Sequence, residues 1–291
     1  MLLETYSPMN VSGAAAATRT GVPLVVDDLA PSWEDDEVYG RGIDGLSRWA
    51  RRKLLNEASV VIAVNAFLRE SFRDEGVNDD RIAVVQNGVS GEFLEVKPDP
   101  VLRAKLGFGE TEVVFVYAGS FQPFHRVDFL VDAFAQVRSE SARLLLVGDG
   151  ITLPDVREQV ARHGLDDKVV IVGQVAHHEV AAYLAISDVG VLPATEEYTN
   201  PMKVIEYLAV GLPVVAPQVR AVEGIVTADR DALLFTRFDE ESLAKALDCF
   251  ASDICLRERL AAQARQSHVR EQSWQRAGDA LADALARAAR R

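Results

Sequence analysis

A lysine and a glutamate stand three residues apart in the stretch from Thr199 to Pro217, TNPMKVIEYLAVGLPVVAP. Asn200 and Pro201 read as the opening of a helix, with Thr199 or Asn200 as its cap and Pro201 in its first turn. Lys203 then falls in that first turn, and Glu206 lies on a neighbouring face. The plain account is an i,i+3 surface pair contributing roughly a few tenths of a kcal/mol. Yet the rest of the helix is apolar (Met202, Val204, Ile205, Leu208, Ala209), and GLPVVAP follows it as a short β-branched run. A charged pair at the mouth of a helix that packs on its sheet gives Glu206 a ligand role as the sharper reading.

Three further segments end strands in unusual ways. YAGSFQPFHRVD (117–128) leaves a strand for a helix, and Gly119 permits close backbone approach. Such a turn presents free N–H groups and the positive end of a helix dipole, suited to phosphate. His125 and Arg126 stand at the start of that helix, where a cation is disfavoured unless an anion sits between it and the backbone; otherwise they are solvated surface residues. LLLVGDG (144–150) runs into Gly148, which serves a tight turn or a ligand. KVVIVGQV (168–175) ends in Gly173, Gln174 and Val175, where backbone groups can meet a flat base.

These ends belong to short Val/Ile/Leu runs that alternate with amphipathic segments between residues 20 and 270. Unbroken apolar runs are what strands buried on both faces look like. The alternation predicts an α/β fold with doubly wound parallel sheets. Asn87-Gly88, two further glycines, Pro98 and Pro100 mark a break, with three strand candidates before it and six after it. The expected domains are a partial first lobe over 1–93, a second lobe over 94–270, and a C-terminal helix over 271–291 that returns to the first lobe.

Composition narrows the partners. The net charge of −13 argues against nucleic acid and against an anionic membrane as a general partner, while leaving room for a small anion in one pocket. Peripheral membrane contact stays open. No apolar run reaches the roughly 18 residues of a transmembrane helix, and MLLETYSPMN lacks the pattern of a secretory signal. Cys249 and Cys255 read as reduced thiols, so the cytoplasm is the expected compartment.

Taken in order, YAGSFQPFHRVDFLVDAFAQV, RLLLVGDG, VVIVGQVAHHEVAAYLAISDVGVLP, NPMKVIEYLAVGLPVVAP and the earlier VVQNGV resemble the retaining GT-B glycosyltransferases of family 4. The resemblance runs from about residue 3 to residue 275. It implies two Rossmann-like lobes, the first lacking roughly a hundred residues of a full-length relative. It implies a nucleotide-diphosphate sugar as donor, a hydroxyl acceptor and no metal or other cofactor. Glu206 matches the second glutamate of the family's E-x7-E motif, which binds the ribose hydroxyls, and Tyr198 takes the place of the first, with Glu196 or Glu197 as substitutes. The backbone N–H groups that the stretch from about Asn200 to Lys203 carries would face the sugar and diphosphate. In the G-R-x-x-x-x-K-G pattern Gly119 is kept, Ser120 takes the arginine's place, His125 the lysine's and Arg126 that of the last glycine. His125, Arg126 and Lys203 are then the expected catalytic set, with Lys203 and Arg126 supplying positive charge. Gly119, Ser120, Gly148, Gln174, Val175, Tyr198, Asn200, Pro201, Met202 and Glu206 are the expected donor contacts. Asp27 and Asp28, with Leu29, lie where relatives have a histidine near the sugar, and read as acceptor-side or simple loop residues.

The leading function is transfer of a sugar to a hydroxyl with retention of configuration. The alternative is a catalytically impaired nucleotide-sugar-binding or partner subunit, suggested by Ser120, Tyr198 and the short first lobe. A non-hydrolysing epimerase would need an acid/base set for which the sequence offers no candidates.

Overall fold

A computed structural model of the chain describes residues 1–7, 10–27, 44–267 and 273–290. The chain divides into two units. One is Met1–Gly88 with Glu197–Asn200 and Gln272–Arg291, and the other is Val89–Glu196 with Pro201–Glu271.

The first unit carries four parallel strands in the order β1-β2-β3-β4: Leu2–Thr5, Leu24–Asp27, Val60–Ala63 and Ile82–Val84. The sequence reading counted three strands here and missed β1. LLET is short, ends in two polar residues and is only half-buried along one edge of its sheet, so it lacks the apolar run that reveals an interior strand. One face of the sheet packs Leu24, Val26, Val61 and Ala63 against Ala14, Leu54 and Leu68. The other packs Val25, Val60 and Ile62 against Ala284 and Ala288 of the C-terminal helix Trp274–Ala289. Alternate strand residues thus serve opposite faces, as the pleat dictates. Arg51 is buried in this unit; its Nε lies 2.6 Å from Glu75 Oε2 and its guanidinium stacks 4.7 Å from the Tyr6 ring.

In the second unit six parallel strands follow the order β10-β9-β8-β5-β6-β7. They are β5 Val113–Ala118, β6 Ala142–Val147, β7 Val169–Gly173, β8 Val189–Val191, β9 Val214–Pro217 and β10 Ala232–Phe235. Every residue of β5 is buried, with Val114 and Val116 on one face and Phe115 and Tyr117 on the other. The six sequence candidates after the break are these six strands. Strand order reverses between β5 and β8: β5 pairs with β6 on one side and with β8 on the other. In an open parallel sheet the crevice at such a switch point, outside the carboxyl ends, is where ligands bind.

Val89 and Phe93 pack in the second unit's core, so the chain changes unit at Gly88 and not at the expected residue 93. An apolar Phe in the segment Gly91–Glu95 overrides its linker-like surroundings. Asp28 and Leu29 lie outside the described residues.

Candidate active site

Three strand ends of the second unit meet in one cleft of about 810 Å³, lined by Gly119 and Ser120 after β5, Gly148 after β6, and Gln174, Val175 and His177 after β7. Close packing of backbone demands glycine at two of these points. A Cβ on Gly148 would run into the carbonyl oxygen of Gly119, and a Cβ on Gly119 would run into the Lys203 side chain. The loops after β5 and β6 therefore touch backbone to backbone, with Lys203 directly behind the glycine.

Lys203 comes from the helix Met202–Val210. Its Nζ lies 3.2 Å from His125 Nε2 and 5.6 Å from the centre of the Tyr117 ring. His125 Nδ1 stands 2.7 Å from the carbonyl oxygen of Ser120, which can only accept, so Nδ1 carries the ring proton. Nε2 is then free to accept from the lysine. Tyr117 donates to the same Ser120 carbonyl at 2.8 Å. Burial pushes the Lys203 ammonium down to about 8, against the pull of Glu206. Burial, and then the Lys203 charge, lower His125, while its bond to Ser120 works the other way. Among the described residues Lys203 makes no salt bridge, so the site holds a largely buried cation with an imidazole and a ring beside it.

Glu206 sits one turn further along, 14% exposed, with Oε1 3.5 Å from His177 Nε2. Burial raises its carboxyl, and His177 and Lys203 oppose that rise. Tyr207, on the same helix, is fully buried. Its hydroxyl accepts from Ala118 N at 3.1 Å and donates to Val191 O at 3.3 Å, fixing the helix to the ends of β5 and β8.

Two family models divide the chain between them: "Glycosyl transferases group 1" over residues 112–253, and "Glycosyl transferase 4-like domain" over residues 2–88. The chain belongs to the GT-B glycosyltransferases of family 4. Both units match that family in chain order, and the two parallel sheets are its fold. The alpha-D-kanosaminyltransferase of Streptomyces kanamyceticus is 25% identical over 93% of this chain and 74% of its own length. The D-inositol 3-phosphate glycosyltransferase of Stackebrandtia nassauensis is 31% identical, over 73% of this chain and 50% of its own length. Most of the curated relatives are thus matched over roughly half to two thirds of their length, as in the 64% of the Nocardioides protein. Among solved structures, Anabaena HepE in complex with UDP superposes with a TM-score of 0.80 at 22% identity, covering 98% of this chain and 78% of that one. A sucrose-phosphate synthase from Thermosynechococcus elongatus reaches 0.75 at 22% identity, over 97% and 72%. At these identities the likeness shows the fold.

Within this glycosyltransferase the expected residues separate. Gly119, Ser120, Gly148, Gln174 and Val175 share the cleft, with His125 and Lys203 joined behind Gly119 and Glu206 beside His177. Arg126 does not join them. It adopts φ 49°, ψ 46° at the position where the family motif has glycine, and its Nε pairs with Asp128 Oδ1 at 3.1 Å. Backbone shape explains the family's glycine there, and the ion pair turns the arginine's charge aside. Tyr198 belongs to the other unit: its side chain is in the core cluster of the first unit, and its carbonyl accepts from Asn65 Nδ2 at 2.9 Å. An aromatic ring in a core takes the place where the motif has a carboxylate. Glu196, offered as its substitute, lies 2.6 Å from Arg237 Nη2.

The helix cap differs from the expectation too. Pro201 itself is the cap residue and Met202 the first helical one, with no side chain capping the end. The N–H groups of the first turn, including those of Met202 and Lys203, have no intrahelical acceptor. Asn200 therefore does not cap; its Nδ2 is buried without a hydrogen-bond partner. Asp27 is half-buried, with its carboxyl raised by burial. His177 and Tyr207 were missed by the sequence reading. His177 was detectable, since like His125 it follows a glycine-ended strand at the start of a helix.

Among the described residues no group of His, Cys, Asp and Glu could hold a metal, and no helix is long and apolar enough to cross a membrane.

Proposed function

We propose that the chain transfers a hexosyl group from a nucleoside-diphosphate sugar to an acceptor hydroxyl with retention of configuration. The observation that carries this reading is the largely buried Lys203 ammonium, set without a salt bridge to any described residue behind Gly119 at the sheet's switch point. A buried cation is stable only with a counter-charge, and a diphosphate is the anion that fits beside free helix N–H groups. Glu206, one turn away, suits a vicinal diol because an ionised carboxylate accepts two hydroxyl hydrogen bonds at once. Departure of the nucleoside diphosphate leaves positive charge on the sugar and negative charge on the leaving oxygen. Lys203 and the open helix end are preorganised for the latter, which is the kind of contribution that dominates such reactions. The cation role falls to Lys203 and not to a metal, so transfer is expected to survive EDTA unchanged.

The names of the relatives support the reading, and HepE is solved with UDP-glucose. Calorimetric titration with UDP-, GDP- and dTDP-sugars tests donor binding, and NMR of the anomeric proton in a product formed on a panel of hydroxyl acceptors tests retention. Failure to bind any of these donors overturns the proposal. Binding without transfer or hydrolysis selects the second reading, a nucleotide-sugar-binding protein, which Ser120 in the arginine's place and Tyr198 in a core favour.

A further inference from the structure

His177 has no part in the motif the family shares, yet it is the side chain placed against Glu206. Its ring stands between two carboxylates, with Nε2 3.5 Å from Glu206 Oε1 and Nδ1 3.6 Å from Glu92 Oε1. The edge of Phe93, with ring centres 5.6 Å apart, holds the imidazole upright. Phe93 and Glu92 come from the segment Gly91–Glu95, and His177 opens the helix His177–Ala185. Two other elements thus meet the helix of Glu206 beside its carboxyl. The ring is 67% exposed and Glu206 14%, and His177 also lines the cleft.

The other charges near Glu206 are committed elsewhere. Lys203, on its own helix, directs Nζ to His125 and to the Tyr117 ring. Glu179, on the helix of His177, turns back to accept from Ala176 N at 2.9 Å. Glu92 adds a negative charge on the far side of the ring and opposes ionisation of Glu206 directly. The contact that favours the ionised form at close range is therefore His177.

Resting on the donor-binding reading above, we propose that His177 is a positioning residue: it keeps Glu206 ionised and aimed at the ribose, and so sets the preference for ribonucleotides over 2′-deoxyribonucleotides. A protonated carboxyl can offer one acceptor and one donor to a diol. The ionised form accepts from both hydroxyls, and this second bond is the one a 2′-deoxy ligand forgoes. Burial alone would favour the protonated form of Glu206, and the imidazole 3.5 Å away opposes that.

The test compares UDP with 2′-deoxy-UDP by calorimetry between pH 6.0 and 7.5, on the full chain and on His177→Phe, which keeps a ring against Phe93. His177→Gln serves as a second uncharged variant, and His177→Lys restores a cation. The wild type should prefer UDP. In His177→Phe and His177→Gln that preference should shrink, by up to about tenfold for each unit that the Glu206 ionisation moves, and by more at pH 6.0 than at pH 7.5. His177→Lys should recover it at pH 6.0. A purely structural role would weaken both ligands equally at every pH, and that result would overturn the inference. So would a preference and pH profile unchanged in His177→Phe, while wild-type UDP binding leaves the donor-binding reading intact. Absence of wild-type binding to UDP and to the other nucleotide-sugar donors named above overturns both.

Discussion

Replacing Lys203 with methionine removes one positive charge and keeps most of the apolar stem. The ammonium's present neighbours are a neutral imidazole at 3.2 Å and the Tyr117 ring, so no carboxylate is orphaned and the fold should persist. A hydrogen bond to a charged group contributes about 1.5–3 kcal/mol, which for a diphosphate means roughly a 10- to 150-fold loss of affinity. The pH dependence sharpens this. With its ionisation pushed down to about 8, the unliganded site is almost fully charged at pH 7 and about one-tenth charged at pH 9. Ligand affinity follows that charged fraction, so UDP binding to the wild type should weaken about tenfold over those two units. Lys203→Met should start weak and stay flat. Isothermal titration with UDP, and with uridine as the phosphate-free control, reads both effects. Uridine should be indifferent to the substitution. An affinity for UDP within about threefold of wild type, or a decline above pH 8 that survives in Lys203→Met, refutes the placement of the diphosphate at this lysine.

Tyr207→Phe strips the hydroxyl that serves Ala118 N and Val191 O, and should lower unfolding free energy by about 1–3 kcal/mol in a urea titration, the penalty for stranding a buried N–H. Arg126→Gly relieves a left-handed backbone at φ 49° and gives up an exposed ion pair with Asp128 and long contacts over the Phe129 and Phe238 rings; it should raise stability by up to about 1 kcal/mol and leave UDP affinity within about twofold. In the first unit, Glu75→Ala removes two charge-assisted hydrogen bonds from the buried Arg51. The expected loss is about 1.5–3 kcal/mol by denaturant unfolding, with no effect on UDP affinity at matched folded fraction.

Much of this molecule could be read along the chain. VVFVYA and LLLV announce interior strands because burial on both faces leaves no charged position in the run. NPMKVIEYLAVG shows a helix carrying two charges, Lys203 and Glu206, on an apolar body, and the helix forms over Met202–Val210. The misses share a cause. β1 was hidden because an edge strand need not be apolar. Arg126 looked like a useful cation because residue type conceals the side chain's direction, and the 3.1 Å contact with Asp128 decides that. Tyr198 was placed by motif spacing at the donor, but its ring packs in the first unit's core.

Local sequence, then, determined which segments are strands and helices and that charged residues collect at strand ends, since periodicity and turn chemistry act over a few residues. Tertiary structure alone decided which of those ends meet. Strand order in the sheet sets β5 between β6 and β8, and through-space packing brings Lys203 to His125 and His177 to Glu206 across gaps of 78 and 29 positions (203 − 125 and 206 − 177). Burial in that arrangement, and not residue type, lowers the lysine and raises the glutamate.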